Sequence, residues 1–237
     1  MANENDPKFV IAPPPQISLP ILGGGRFPVR RIFCIGKNYV LHVEEMGGDA
    51  KSDPPVYFTK PRDAIVENDS IVPYPPATND FHFEGELVLA IGKGGAHISD
   101  AQAASAMIFG TACGCDLTRR DLQSKAKAAG GPWDSAKAFD HSAPVGPIVS
   151  VSNQPLENTA NAELITRVNN EICQQAPIAT MIWSMSEIVM ALSDFVALAP
   201  GDLIFTGTPA GVGPLNKGDA VQIEIGSLPA LKFTIAR

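Results

Sequence analysis

Short apolar runs bounded by glycine or proline recur along most of the chain. Arg31 to Ile35, Val56 to Lys60, Phe83 to Ile91 and Asp202 to Thr206 are runs of this kind, and each predicts a strand. Ala162 to Gln175 predicts a hairpin turning at Asn169-Asn170, because asparagine tolerates positive φ. Val221 to Ile225 and Leu231 to Ile235 are spaced to pair across Gly226 to Pro229. Helical periodicity is rarer. Ser184-Met185-Ser186-Glu187 has the form of a capping box and precedes Ile188, Val189, Leu192, Phe195 and Val196 at helical spacing, with Ala199-Pro200-Gly201 as the stop. Ser99 to Gln102 predicts a second capping box, opening an alanine-rich helix. Runs of strand punctuated by a few helices predict an α+β fold with sheets folded on themselves. Residues 1–30 read as an N-terminal arm, with extended polyproline geometry at Ala12-Pro13-Pro14-Pro15 and a flexible joint at Gly23-Gly24-Gly25. Residues 31–237 hold no linker long enough to separate two cores, and no internal repeat.

Composition sharpens this picture. A chain of 237 residues can bury roughly 70% of its unfolded surface without disulfide or metal staples. Its 21 Gly and 21 Pro are about 18% of the chain against roughly 12% in average usage, which favours turns and short strands over a helical bundle. Lys and Arg number 18 against 25 Asp and Glu, a net charge of -7. That balance argues against a nucleic-acid partner, although one basic pocket can still serve a small anion. Met1 to Lys8 are polar with no signal-like apolar run after them, and no stretch approaches the ~20 apolar residues that span a bilayer. Cys34, Cys113, Cys115 and Cys173 form no metal-ligand spacing and read as buried small hydrophobes. A reducing cytoplasm is the compartment these features predict.

Four stretches carry the candidate chemistry. In His82-Phe83-Glu84-Gly85-Glu86-Leu87-Val88-Leu89-Ala90-Ile91, residues two apart share a strand face, so His82, Glu84 and Glu86 point one way. The apolar residues that follow draw both glutamates toward the edge of a buried sheet. Two carboxylates ~6 Å apart repel by roughly 3 kcal/mol at an effective dielectric of 20, which calls for a cation unless the face is solvated. Asp116, after the small run Gly110 to Cys115, is a third carboxylate, and an all-oxygen set suits Mg²⁺ or Mn²⁺ rather than Zn²⁺. In Asn38 to Gly47, Asn38 can cap and Gly47-Gly48 can end a helix of two turns. His42 and Glu45 are then three apart on one face, either as a surface pair or as a base oriented by a carboxylate to activate water. In Asp116 to Gln123, Arg120 and Gln123 share a helix face and suit a carboxylate or keto acid, while Lys137 lies among small and aromatic residues where desolvation favours an electrophilic role. Phe205 to Gly213 is a glycine-rich loop after a strand. Lacking a phosphate-loop lysine, it is better suited to gripping a carboxylate than a nucleotide.

Together these stretches resemble the fumarylacetoacetate hydrolase superfamily. The resemblance rests on Gly36-Lys37-Asn38-Tyr39 with His42-x-x-Glu45, His82-x-Glu84-x-Glu86-Leu87, Cys115-Asp116-Leu117-Thr118-x-Arg120-Asp121, Ala136-Lys137-x-Phe139 and Thr206-Gly207-Thr208-Pro209-x-Gly211-Val212-Gly213. Arg26 to Arg31 and Trp133-Asp134 look most like members that act on fumarylpyruvate in gentisate catabolism. The resemblance implies a mixed β-sandwich roll with a few short helices, a catalytic domain over 31–237, and a homodimer. It implies Glu84, Glu86 and Asp116 as metal ligands, His42 and Glu45 as a water-activating dyad, Lys137 in catalysis, and Arg120, Gln123 and Thr208 as substrate contacts. One departure is Lys37, where relatives commonly carry arginine, so a point-like ammonium replaces a bidentate fork.

The activity implied is metal-dependent hydrolysis of a carbon–carbon bond in an acylpyruvate, with fumarylpyruvate giving fumarate and pyruvate. Two other reactions use the same chelated keto acid: decarboxylation of oxaloacetate, and isomerisation of a diacid such as 5-carboxymethyl-2-hydroxymuconate or 2-hydroxyhepta-2,4-diene-1,7-dioate. The His-x-x-Glu helix favours hydrolysis, since an attacking water needs a base. A keto-acid-binding module without catalysis is the non-enzymatic alternative.

Overall fold

Both faces of the segment after Glu84 are apolar, and the chain buries both. The computed structural model describes residues 9–45 and 56–237, so the expected helix end at Gly47-Gly48 and the polar start at Met1 to Lys8 lie outside the described residues. The frame consists, in chain order, of β1 (Arg31–Gly36), α1 (Val40–Glu45), β2 (Val56–Lys60), β3 (Ser70–Val72), β4 (Phe81–Phe83), β5 (Gly85–Ile91), α2 (Ala101–Ser105), β6 (Ile108–Cys115), α3 (Arg120–Ala129), α4 (Asp134–Lys137), β7 (Val149–Ser150), β8 (Glu163–Val168), β9 (Glu171–Pro177), α5 (Met185–Phe195), β10 (Asp202–Phe205), β11 (Ala220–Ile225) and β12 (Leu231–Ile235).

A six-stranded sheet runs β7-β6-β5-β10-β1-β2. Only its β10–β1 pair is parallel. A five-stranded sheet runs β9-β8-β11-β12-β3, parallel only between β12 and β3. Leu87, Leu89 and Ile91 from the first sheet share one apolar core with Ile223, Ile225, Leu231 and Phe233 from the second. Val88 and Ala90, on the other face of β5, pack with Leu19, Phe27 and Val29. The fold is therefore α+β, with mixed sheets and short helices. Among the described residues, no helix is long and apolar enough to cross a membrane.

Several local expectations need correction. The run from Phe83 to Ile91 is broken at Glu84, which separates β4 from β5. β5 is an interior strand, with Glu86 at its beginning and Glu84 just before it rather than on a sheet edge. Asp100, not Ser99, caps α2, its Oδ2 accepting from the Ala103 amide at 2.7 Å. Asn38 does not cap α1. Buried instead, it donates to the carbonyls of Trp183 and Thr206 and accepts from the Trp183 amide, tying three loops together. α5 ends at Phe195, before the expected stop, because Val196 is already extended. Cys173 is exposed, while Cys34, Cys113 and Cys115 are buried. From Ser18 onward the expected arm forms a small hairpin, Ser18–Pro20 with Arg26–Pro28, which places Leu19, Phe27 and Val29 in the core.

The Ser184 capping box forms as expected. The β8–β9 hairpin turns at Asn169 and Asn170, whose φ values are 50° and 71°.

Candidate metal centre

The start of β5 lies beside the end of β6, with Gly85 opposite Cys115 and Glu86 opposite Gly114. The residues just outside this pair are Glu84 and Asp116, joined by a backbone bond from the Asp116 amide to the Glu84 carbonyl at 2.8 Å. Antiparallel pairing thus brings Glu84 and Asp116, distant in the chain, onto one spot, and the alternation of β5 adds Glu86. One oxygen from each of the three lies within 4.8 Å of the others, and all three side chains are buried. His82 does not join them. The break at Glu84 turns it toward Asp80, with Nε2 2.7 Å from Asp80 Oδ1.

Three cations surround the acids. Lys137 Nζ donates to Glu84 Oε2 at 2.7 Å, to Asp116 Oδ2 at 2.7 Å and to Thr118 Oγ1 at 2.6 Å. Arg120 donates to Glu84 Oε1 at 2.5 Å, to the side-chain oxygen of Gln123, and through Nε to His82 Nδ1 at 3.4 Å. Lys60 Nζ stands 2.9 Å from Asp116 Oδ1. Lys60 donates instead to the carbonyls of Leu117 and Lys137, and Asp116 Oδ1 is buried with this ion pair but no hydrogen bond. Glu86 Oε2 accepts from the Gly207 amide at 2.7 Å.

The electrostatics follow from this crowding. Burial pushes the Glu86 carboxyl well up, and Asp116 and Glu84 add to that. Burial also opposes ionisation of Glu84, but Lys137 and Arg120 outweigh it and hold this carboxyl below the ordinary range. Lys137 is desolvated, yet Asp116 and Glu84 raise its pKa. It is a fixed cation, so the electrophilic role expected from desolvation does not come from a lowered pKa. The donor set fits a hard divalent ion: three converging buried carboxylates, and among them a carboxyl, Glu86, that resists ionising without more positive charge.

The glycine-rich loop after β10 does grip carboxylates, but they are the protein's own. Gly207 serves Glu86, and the Gly211 amide lies 3.3 Å from Glu45 Oε1. Both glycines have positive φ, 98° and 94°. A Cβ would stand 2.8 Å from the Asn38 Cβ at the first and 2.2 Å from the Cys173 carbonyl at the second, so only glycine lets these amides approach. Glu45, exposed on α1, holds His42 Nδ1 at 3.2 Å. The buried His42 has its pKa lowered, chiefly by desolvation, against the pull of Glu84 and Glu45.

Every site residue expected from the sequence except Glu45 lines one cavity of about 510 Å³, and Glu45 reaches it through His42. Thr208 lines that cavity, but its hydroxyl donates to the Gly85 carbonyl and accepts from Gln174 Nε2, each at 2.8 Å. Gln174 is the residue sequence reasoning missed most completely. Buried on β9, it also accepts from the Gly85 amide at 2.9 Å and donates to the Pro209 carbonyl at 2.8 Å. A glutamine in the middle of an otherwise exposed hairpin strand gives no such signal. Lys60 was equally unmarked, since a lysine closing a strand normally reaches solvent.

The family described as Fumarylacetoacetate (FAA) hydrolase C-terminal matches residues 31–236. Fumarylpyruvate hydrolase of Ralstonia sp is 39% identical over 187 residues, covering 79% of this chain and 95% of that protein. The mitochondrial oxaloacetate tautomerase FAHD1 of Bos taurus is 38% identical over 208 residues, covering 88% of this chain and 92% of that protein. The crystal structure of fumarylpyruvate hydrolase from Pseudomonas aeruginosa in complex with Mn²⁺ and pyruvate superposes with a TM-score of 0.93 at 41% identity, over 97% of this chain and 99% of that one. A buried acidic trio beside a histidine–glutamate pair, on a chain matched over nearly its whole length, makes this protein a member of the fumarylacetoacetate hydrolase family.

Proposed function

We propose that the protein hydrolyses the carbon–carbon bond of an acylpyruvate, with fumarylpyruvate giving fumarate and pyruvate. The observation that carries this reading is the convergence of a carboxylate trio and a carboxylate-held imidazole on one cavity. Glu84, Glu86 and Asp116 are assigned to a divalent cation, Mg²⁺ or Mn²⁺. When bound, that cation supplies positive charge to a chelated keto acid and to the enolate that departs.

The chain's own residues do the rest. Glu45 accepts from His42 Nδ1–H, which leaves Nε2 as the basic nitrogen. His42 takes a proton from water as the water oxygen bonds to the acyl carbonyl carbon. The bond between that carbon and the methylene then breaks, its electron pair passing to the pyruvate enolate, and the proton is returned to the methylene carbon. Water is consumed and a carboxylic acid and pyruvate are released. Lys137, held beside the acids at fixed charge, is assigned to the developing enolate, and Arg120, Gln123 and Thr208 to the pyruvoyl end.

A second reading is supported by the oxaloacetate tautomerase among the relatives. Enolisation of a keto acid needs the cation and a base but no attacking water. Purified protein with Mn²⁺ is assayed against fumarylpyruvate, acetylpyruvate and oxaloacetate, before and after chelation with EDTA. Stoichiometric pyruvate from an acylpyruvate, abolished by EDTA and restored by Mn²⁺, is the expected result. Interconversion of oxaloacetate tautomers with no acylpyruvate cleavage replaces hydrolysis by the second reading.

A further inference from the structure

Helix α3 lays one face along the cavity. Arg120, Gln123, Ala126 and Lys127 all line it, and their spacing puts them on a single helical stripe. From Arg120 to Lys127 the axis advances about 10 Å. Arg120 stands at the acidic end, bonded to Glu84. Lys127 stands two turns away and is exposed, with Nζ 5.6 Å from the centre of the Trp133 ring.

The cations differ in what they meet. Lys60, Lys137 and Arg120 each lie against a carboxylate of the trio. Lys127 has no carboxylate within ion-pairing distance among the described residues; it packs over the Trp133 ring and feels the more distant charges of Arg120, Glu84, Lys37 and Lys137. Lys37 lines the same cavity. Beyond Lys127 the wall is Gly130 and Gly131, which leave room for a substrate tail. In a chain of net charge -7, an ammonium paired with no carboxylate, on the wall of the cavity that holds the acidic trio, has an anion as its natural partner.

We propose that Lys127, backed by the Trp133 ring, forms a subsite for a second carboxylate, so that the cavity selects acylpyruvates whose acyl arm ends in an acid. The inference rests on the acylpyruvate reading and names its substrate class. The separation along α3 matches an extended diacid of about seven carbons, with a keto acid at one end and a carboxylate at the other. A short neutral acyl group leaves Lys127 without a partner.

The test compares the Mn²⁺-loaded wild type with Lys127→Met and with Lys125→Met, a lysine on α3 that does not line the cavity. Lys127→Met is expected to lose about tenfold in kcat/KM for fumarylpyruvate, mainly through KM, while acetylpyruvate hydrolysis changes by less than about twofold. Lys125→Met is expected to match the wild type on both. Equal losses on both substrates, or no loss on either, overturn the subsite. Calorimetry with fumarate and with crotonate, which carries a methyl in place of one carboxylate, reads the subsite without turnover. Preference of the wild type for fumarate, lost in Lys127→Met, sustains it even if no acylpyruvate is cleaved. Equal binding of the two acids overturns it even if hydrolysis is observed.

Discussion

His42 sits in a setting that decides its protonation before any substrate arrives. Burial lowers its pKa below the ordinary value near 6.5, more than Glu84 and Glu45 raise it. The ring is therefore neutral at pH 7 and loses its basic nitrogen only as pH falls through that lowered value. A plot of kcat/KM against pH is expected to be flat near neutrality and to bend downward below pH 6.5; an acid limb centred above 7 contradicts the assignment. Replacing His42 with alanine removes the proposed base and leaves the acidic trio intact. Steady-state kinetics should show kcat reduced by about 10²–10⁴-fold, with Mn²⁺ affinity close to wild type in a metal titration. The roles expected of Arg120 and Thr208 acquire a structural side. Arg120 is bonded to Glu84 and Gln123 as well as lining the cavity, and the Thr208 hydroxyl is committed to Gly85 and Gln174.

Among the elements, β5 and β6 make the centre by lying antiparallel with the start of one against the end of the other. The second sheet holds that junction through one side chain. Gln174, from β9, bonds the Gly85 amide between the two glutamates and two groups of the glycine-rich loop. Gln174→Leu leaves buried donors and acceptors unpaired, each costing about 1–3 kcal/mol. Urea denaturation should show a loss of about 2–4 kcal/mol with an unchanged m-value. The sequence displayed the strands, the hairpin turn and the Ser184 cap, because these depend on neighbours in the chain. It misplaced the role of Asn38, whose amide reaches Trp183 and Thr206 rather than α1.

At the level of the whole molecule, an acidic chain concentrates three carboxylates and three cations in a buried cluster, and a divalent ion that binds only the folded state must stabilise it. At a hundred times Kd the gain is about 2.7 kcal/mol, which in a domain of this size raises Tm by about 5–10 °C. Differential scanning with Mn²⁺ should show that rise in the wild type and none in Asp116→Asn. The local code along the chain was sufficient for the strand-rich α+β character, and the spaced carboxylates and His-x-x-Glu pair marked the chemistry, because residue type and spacing survive in one dimension. Which oxygens converge, that Lys60 and Gln174 are buried against them, that His82 turns away, and that α3 carries Lys127 along the cavity wall were decided by strand pairing and sheet packing. Those contacts join residues far apart in the chain, and no local pattern encodes the distance between them.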